Sequence, residues 1–449
     1  MPATVIQALV FLGFAAVLIT LASPRRLHPF FAIVIIATIF GLASGFSISQ
    51  LGKAFGDGFS ATLYSPGLVI VAAGLIEGIA KSTGASAHLA TKIGGFGTRR
   101  FAALAGLLAG LAAVPASGFA LLTPLLPASD ANPPQKRQST TITAALAQSA
   151  SHGLIALAPV PIAAAAILGA GWLRVILIGV PLALVVAALG AAFASWLPTT
   201  APRPTAATAP APAPNFPTVK PSSGSVLVLL LAVIVPLLLL IVQSIGEFPS
   251  EPLGGGPSRE LVIGVGRPLI LLLIGVAIMA IGQGRPGLKL IADTSWATQC
   301  FSQIANILLI VGAAGGLQKL CQESGVAELL GERLLNWHAG THSAVLIAFA
   351  IAAVIKTLQG SSLVSSITAA GMMQPVLDQL GLDAGGKAFA ALAIGAGAMT
   401  ISHVNDTYFW LVADRAGLVP SRGFIALAGG TLLQGLSAAI LLFILSFLV

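Results

Sequence analysis

Charged residues are scarce in this chain. Of 449 residues, 22 are Lys or Arg and 14 are Asp or Glu, which makes 8% charged, whereas 56% are hydrophobic. Soluble domains carry about 25% charged residues, so this sequence cannot cover a globular surface with polar groups. The composition therefore predicts that lipid is the solvent for most of the chain.

Cysteine and the common ligand motifs are also scarce. The only two cysteines, Cys300 and Cys321, lie beside or within apolar segments and indicate no disulfide framework. The sequence has no Gly-rich phosphate loop, no Cys/His metal spacing and no dinucleotide fingerprint. We therefore expect no metal site, no organic cofactor and no ATP-driven pump in this chain.

Long apolar runs are abundant instead. Runs of about 20 residues, long enough to cross a bilayer as a helix, recur at 5–21, 30–47, 226–242 and 424–448. The first run has no cationic region before it and no small-residue cleavage site, so we expect a retained span. The net charge of +8 comes from short loops between these runs and reports topology, so we expect no nucleic-acid partner. The pattern predicts an all-α polytopic membrane protein.

A weak internal repeat divides the chain. The Pro/Ala-rich stretch 198–222 predicts a cytoplasmic linker between a first half, 1–197, and a second half, 223–449. Residues 74–89 align without gaps to 315–330, and each copy is followed by a broken apolar stretch and a Ser-His pair. We predict two repeats of about five transmembrane helices, each with one re-entrant hairpin, at about 101–127 and 342–380.

Loop charges predict that the two repeats have opposite orientations. Lys and Arg concentrate on the cytoplasmic side of membrane proteins. The basic loop residues that we place inside include Arg99, Lys136, Arg285, Arg415 and Arg422, while the acidic segment around residues 247–251 is placed outside. If each hairpin were instead a pair of full spans, the loops that follow would lie on the same sides of the membrane. The loop charges therefore support two inverted repeats but do not test the hairpins.

The two broken stretches are candidate binding tips. A broken helix frees backbone N–H and C=O groups that need a partner in lipid, and positive helix N-termini suit carboxylates. A packing seam of small residues between helices is the alternative. We assign substrate binding to the residues at the two breaks: Ser117, Gly118, Gln359, Gly360, Ser361 and Ser362.

The densest polar cluster in an apolar context is the segment SHVND at 402–406. Ionisable groups at membrane depth are costly and usually functional. His403 and Asp406 are candidates to hold the coupling proton, and Asn405 is a candidate substrate ligand. The alternative is that these side chains only tie two helices together by hydrogen bonds.

Three further polar residues lie in apolar segments. His152 occupies the position in the first half that His403 occupies in the second, although a lone histidine is also typical of packing. Lys356 lies three residues before the second break and could offset the charge of an anion, or its ammonium could reach the membrane interface. We assign both to substrate binding. Glu77 has Gln318 as its repeat partner, so we expect a structural role or a cavity lining.

Several segments resemble the gluconate permease (GntP) family. Residues 402–412, SHVNDTYFWLV, are similar to its SHVNDSGFWLV segment, and 359–361 with 367–371 are similar to its QGS or TGS and ITAAG pair. Residues 152–169 resemble its HGLVPPHPGP...AAGILGA segment, and Lys356 occupies the place of a family Arg. The sequence departs from the family at Ala156-Leu157-Ala158, where the family has PPH, and at Ala116, where it has an acidic residue.

This resemblance implies proton-coupled uptake of gluconate or a related small sugar acid or hydroxycarboxylate. It also implies a fold like that of the ion transporter superfamily, a homodimer, and a transport domain whose hairpins move as an elevator. The bacterial cytoplasmic membrane is the expected location. The expected partners are a small carboxylate anion and the lipid bilayer, with the proton as the coupling ion.

Two other hypotheses remain open from the residues. Hydroxyls, backbone carbonyls and Asp406 could equally ligate sodium, which would give a sodium-coupled or exchange transporter. From a different class, Ser402 and His403 invite an intramembrane enzyme, although adjacent residues on one segment do not define the geometry of a nucleophile and its base.

Overall fold

The computed structural model describes residues 27–85, 88–89, 98–112, 114–126, 134–156, 158–198, 223–246, 256–325 and 342–447. Throughout these ranges the regular structure is helical and there is no strand. This agrees with the all-α class that the composition predicts. The expected span at 5–21 and nearly all of the expected linker at 198–222 lie outside the described residues.

The first half contains eight α-helices in its described ranges. They are α1 (Pro29–Ala43), α2 (Ile48–Thr62), α3 (Leu68–Ser82), α4 (Thr98–Ala109), α5 (Pro115–Leu122), α6 (Pro134–Leu154), α7 (Pro159–Leu168) and α8 (Trp172–Trp196). A π-helical turn, Leu63–Gly67, joins α2 to α3. Proline occupies the first turn of α1, α5 and α7, where its missing N–H leaves no hydrogen bond broken.

The second half begins with α9 (Ser223–Gly246), α10 (Pro257–Val265), α11 (Pro268–Gly282), α12 (Arg285–Ala292) and α13 (Thr294–Glu323). It continues with α14 (Ser343–Gln359), α15 (Ser362–Gln379), α16 (Ala384–Ala398), α17 (Thr407–Ala416), the short α18 (Pro420–Gly423) and α19 (Gly429–Leu445). A second π-helical turn, Phe424–Ala428, joins α18 to α19.

Five helical stretches of the described chain are long and apolar enough to cross a membrane. They are Gln135–Leu168, Trp172–Trp196, Val226–Gln243, Thr294–Glu323 and Pro420–Leu445. A sixth would be the pair Pro257–Val265 and Leu269–Gly282, which bends by 59°. Large apolar side chains also stand on the outside of several helices, for example Leu173 (71% exposed) and Ile281 (67% exposed), as lipid-facing surfaces require. The chain is therefore a multi-pass membrane protein.

Helices α2 and α3 of the first half pack closely on α13 of the second half. A Cβ atom added at Gly58 of α2 would collide with the carbonyl oxygen of Gly315 in α13. A Cβ at Gly78 of α3 would lie 2.6 Å from the Cys300 sulfur, and Trp296 Nε1 donates to Ser82 Oγ at 3.2 Å. Small residues thus let α2 and α3 approach α13, as is common between membrane helices.

Helices α6 and α16 meet near the C-terminal ends of both helices. A Cβ added at Gly153, in the last turn of α6, would lie 2.8 Å from the carbonyl oxygen of Gly395 in α16. A Cβ at Gly395 would in turn collide with the carbonyl oxygen of Gly153. The backbones of α6 and α16 therefore touch, one turn or less from the points where each helix ends. This crossing brings the two Ser-His pairs into one region.

Both expected hairpin segments consist of two helices separated by a break. In the second half α14 and α15 are separated by Gly360 and Ser361, and in the first half α4 and α5 are separated by the residues between Ala109 and Pro115. We assigned Ser117 and Gly118 to the first break, and this was wrong, because both lie inside α5. Pro115 is tolerated at the first helical position, so helix α5 already begins there. Re-entry of either pair from one membrane face stays a prediction.

Candidate functional site

The break in the second helix pair is built around Gly360. This residue ends α14 with φ at 80°, a left-handed conformation that favours glycine. A Cβ here would lie 2.5 Å from the carbonyl oxygen of Asn405, so the position also requires the absence of a side chain. Ser361 then caps α15, because its hydroxyl oxygen accepts a hydrogen bond from the Val364 N–H at 3.3 Å. Its hydroxyl therefore serves the helix end as well as facing the break.

The polar segment at 402–406 lies in the irregular stretch between α16 and α17. Ser402, His403, Asn405 and Asp406 are 3%, 2%, 1% and 8% exposed, so the whole cluster is buried. Ile401, just before it, has φ at 47°, and within the described residues no other non-glycine residue has a positive φ. Irregular backbone this deep in a membrane protein needs internal hydrogen bonds. The side chains of the segment supply them.

A buried ion pair joins the segment to the second break. Lys356 Nζ lies 2.6 Å from Asp406 Oδ2, with the two side chains 2% and 12% exposed. The same ammonium donates to the Gly360 carbonyl at 2.5 Å. Asp406 also accepts from Ser402 Oγ at 2.6 Å and, as the cap of α17, from the Tyr408 N–H at 2.9 Å. Lys356 thus points into the protein and does not extend to the membrane interface.

Asn405 and His403 hold the end of α14. Asn405 Nδ2 donates to the carbonyls of Thr357 and Leu358 at 3.0 and 3.1 Å, and His403 Nε2 donates to the Thr357 carbonyl at 2.7 Å. The last carbonyls of a helix lack partners within it, so these bonds satisfy groups freed by the break. Asn405 Oδ1 is buried and accepts no hydrogen bond from the described part of the chain. It is an acceptor available to a ligand.

The first helix pair meets His152 in a similar way. His152 Nδ1 donates to the carbonyl of Gly110, which lies in the break after α4, at 2.9 Å. Its other ring nitrogen, Nε2, is buried and has no partner among the described residues. In the neutral ring Nε2 is an acceptor, because Nδ1 carries the hydrogen.

Ser117 and Gly118 lie in the first turn of α5 and are buried. They are linked to the rest of the site by Gln148, whose Nε2 donates to the Pro115 carbonyl at 2.7 Å. Tyr408 completes the link, since its hydroxyl donates to the Ala145 carbonyl at 2.8 Å. Asp406 caps the helix that carries Tyr408, so the two breaks are connected through α6 and α17.

Sequence reasoning missed Ser402, Gln148 and Tyr408 as members of this arrangement. A signal was present for each. Ser402 stands inside the polar segment that carries Asp406, and Gln148 lies one turn before His152 in a small-residue helix. Tyr408 is one of only two tyrosines in the chain. Their side chains complete the hydrogen bonds of the groups that sequence analysis did select.

Arg415 is placed differently from our expectation. We assigned it to an inside loop, but it lies in the last turn of α17. Its Nη1 contacts both carboxylate oxygens of Glu77 at 2.8 and 3.0 Å, and its Nη2 donates to the carbonyls of Thr123 and Leu126. Lys81 also pairs with Glu77 at 3.1 Å. This network ties α3 and the end of the first helix pair to α17, which fits the structural role expected for Glu77.

The residues selected from the sequence fall into two groups. Lys356, Gly360, His403, Asn405 and Asp406 form one contact network, and Gln359 is fully buried beside it while Ser362 is half-buried at the start of α15. His152 contacts the first break, and Ser117 and Gly118 lie just after it in α5. Among the described residues the two groups contain the buried cation Lys356, the carboxylate of Asp406 and the unpartnered acceptors Asn405 Oδ1 and His152 Nε2. Such a set suits an anion that carries hydroxyl groups.

The departures from the family motifs also lie near this site. Ala116 is buried in the first turn of α5, and Ala156 and Ala158 are buried at the end of α6 and before α7. Leu157 lies outside the described residues. Apolar side chains therefore stand where the family pattern has polar ones.

The family model and the relatives that match this chain are described as permeases or transporters. Residues 5–448 match the family model described as GntP family permease. A gluconate permease of Pseudomonas aeruginosa is 32% identical over 91% of this chain and 90% of its own length. A high-affinity gluconate transporter of Escherichia coli (strain K12) is 29% identical over 90% of this chain and 92% of its own. The crystal structure of the Alcanivorax borkumensis YdaH transporter is similar at a TM-score of 0.39, with 18% sequence identity over 98% of this chain and 97% of that one. A similarity of this size is too low to transfer structural detail.

Proposed function

This chain belongs to the GntP permease family, and from that premise we propose that it carries gluconate or a related small sugar acid into the cell together with protons. Members of the family are permeases and transporters, not enzymes, so the hypothesis of an intramembrane enzyme is dropped. The observation that carries the proposal is the buried pair between Lys356 and Asp406 at the second helix break.

The chemistry of the site supports a hydroxycarboxylate substrate. Lys356 is the cation for the substrate carboxylate, and the amides and hydroxyls of Gln359, Ser361 and Ser362 lie at the same break. Asn405 Oδ1 and His152 Nε2 are buried acceptors that substrate hydroxyls would satisfy. A buried acceptor left unpaired costs about 1–3 kcal/mol, so a ligand that fills both is favoured over a plain carboxylate.

Competition for Lys356 provides the coupling. While Asp406 is ionised, its carboxylate occupies the ammonium at 2.6 Å and excludes a second carboxylate. A proton on Asp406 removes that charge and releases Lys356 to the substrate, so proton and anion bind together. When the proton leaves on the other side, Asp406 displaces the substrate from Lys356. His403 stays bonded to the Thr357 carbonyl and positions the segment that carries Asp406.

The same geometry favours the proton over sodium. The oxygens that could ligate a hard cation here include those of Asp406, Ser402, the Gly360 carbonyl and the Asn405 amide. The Lys356 ammonium already contacts two of these groups, at 2.6 and 2.5 Å. A sodium ion at that position would have to lie against this positive charge.

The transport cycle proposed here is alternating access between inverted repeats in the bacterial cytoplasmic membrane. The two helix pairs act as re-entrant hairpins whose breaks hold the substrate, and they move with their partner helices as an elevator against a dimeric scaffold. The repeat of 74–89 at 315–330 and the equivalent order of breaks in both halves support this proposal. The kinship with the ion transporter superfamily belongs to the same expectation.

Uptake into proteoliposomes tests the proposal. Radiolabelled gluconate and glycerate are supplied with and without an inward proton gradient, and with sodium as a separate arm. Asp406→Asn mimics the protonated carboxylate, so we expect it to exchange gluconate across the membrane but to lose gradient-driven accumulation. Asp378→Asn is the matched control, since Asp378 lies at the exposed end of α15 and pairs only with Lys387 in the described chain.

Three results would contradict the proposal. Accumulation by Asp406→Asn equal to that of the wild type would remove Asp406 from coupling. Uptake that needs sodium and survives a proton uncoupler would replace the proton as coupling ion. Absence of uptake of either acid would exclude these substrates for this chain.

A further inference from the structure

A cavity lined by both polar and apolar residues lies at one end of the helix bundle, apart from the site described above. Its volume is about 240 Å³, and it is lined by the start of α6, the end of α8 and the segment around α18. Six of its lining residues are polar: Arg99, Gln135, Gln138, Ser139, Ser195 and Arg422. Both halves of the chain therefore contribute to its wall.

The charged residues that line this cavity are all cationic. Arg99 and Arg422 line it, and its lining contains no Asp or Glu. Within the described part of the chain neither arginine has an ion-pair partner. Arg415, by contrast, is engaged by Glu77. Both arginines are exposed residues of the lining, and a guanidinium group has the planar donor pattern that binds carboxylate or phosphate oxygens.

The cavity shares two helices with the candidate substrate site. Along α6, Ser139 in the cavity wall and Gln148 in the site are nine residues apart, which is about 14 Å of helix. Helix α17 is capped by Asp406 in the site and ends two residues before Leu418, another lining residue. A ligand in the cavity would thus stand about three helical turns from the site, at the end of the same two elements.

We propose that Arg99 and Arg422 form a second anion-binding site, which holds the carboxylate of a small hydroxy acid on its way to or from Lys356. The identity of the anion rests on the proposed function, but the existence of the site does not. The cavity volume of about 240 Å³ leaves room for several water molecules, which a small polyhydroxy acid would replace. Gln135, Gln138 and Ser139 supply the partners for its hydroxyl groups. The shared chemistry is an oxyanion, and the headgroup phosphate of a lipid is the other source of it.

A reporter cysteine in the cavity wall tests this proposal. Ser195→Cys places a thiol in the lining, while the native Cys300 and Cys321 are buried. Its reaction rates with an anionic and a cationic methanethiosulfonate are compared in detergent. We expect the anionic reagent to be favoured by on the order of fivefold, because two nearby cations raise the local concentration of anions. Arg99→Gln with Arg422→Gln should abolish this preference.

Arg174→Gln is the matched control. Arg174 lies near the start of α8, whereas Ser195 lies at its other end, so its removal should leave the preference unchanged. Equal rates for the two reagents, or a preference that survives loss of both Arg99 and Arg422, would overturn the proposal.

Protection experiments identify the anion. Gluconate should slow labelling of Ser195→Cys, and it should still do so after Lys356→Gln, which removes the cation of the substrate site. Protection in that variant separates this inference from the proposed function, since it does not depend on transport. In nanodiscs, slow labelling that requires phosphatidylglycerol and does not change with gluconate would assign the site to lipid phosphate and overturn the carboxylate assignment.

Discussion

Removal of Lys356 should expose the cost of a buried carboxylate. In Lys356→Met the Asp406 side chain, 12% exposed, keeps its bonds to the Ser402 hydroxyl and the Tyr408 N–H and has no other side-chain partner among the described residues. Breaking one partner from a buried ion pair typically costs about 3–5 kcal/mol, because the other charge stays buried without compensation. We expect a loss of about this size in the free energy of unfolding at neutral pH.

A double-mutant cycle that adds a substitution at Asp406 tests the buried ion pair more sharply than the single variant. Lys356→Met combined with Asp406→Asn leaves no buried charge, so the loss should fall to about 1–2 kcal/mol, the cost of hydrogen bonds and packing. Unfolding in mixed micelles of dodecyl maltoside and sodium dodecyl sulfate measures both values. A single variant within 1 kcal/mol of the wild type, or a double variant no more stable than the single one, would refute the buried pair as described.

Three other changes test single features of the structure. Gly360→Ala should lower the free energy of unfolding by several kcal/mol and abolish uptake. Gly381→Ala is its control: φ is 65° there and no atom lies within 4 Å of an added Cβ, so backbone strain alone should cost about 1–2 kcal/mol in the same unfolding assay. Arg415→Gln should destabilise by about 3 kcal/mol, while Lys81→Gln, which loses one half-exposed pair, should cost less than about 1 kcal/mol by the same measurement. Tyr408→Phe should cost about 1 kcal/mol and leave the proton dependence of uptake unchanged, as measured in proteoliposomes.

The helical class and the polar segment at 402–406 could be predicted from the sequence because both are local signals. Scarce charge and long apolar runs require helices in lipid, and a cluster of His, Asn and Asp between apolar stretches stands out without any structure. The break at Gly360 follows equally from the Gln-Gly-Ser-Ser sequence.

The partners of these residues could not be predicted. Lys356 pairs with Asp406 across 50 positions of sequence, and only the packing of α14 against the irregular segment brings them together. Ser117 and Gly118 were assigned to the first break, yet α5 already begins at Pro115, because proline is tolerated at the first helical position. Arg415 was placed in a loop, and its pairing with Glu77 could not be predicted because the two residues are 338 positions apart.

The contact between Gly153 and Gly395 limits how the molecule can deform. Since no side chain separates α6 from α16 there, the carbonyl of each helix fills the space that the other leaves. A rocking movement that pivots the two halves apart at this point would open a gap between the two backbones. A movement that carries both helices as one rigid piece keeps the joint closed. A bulkier residue at either glycine would act as a wedge and drive the two halves of the chain apart.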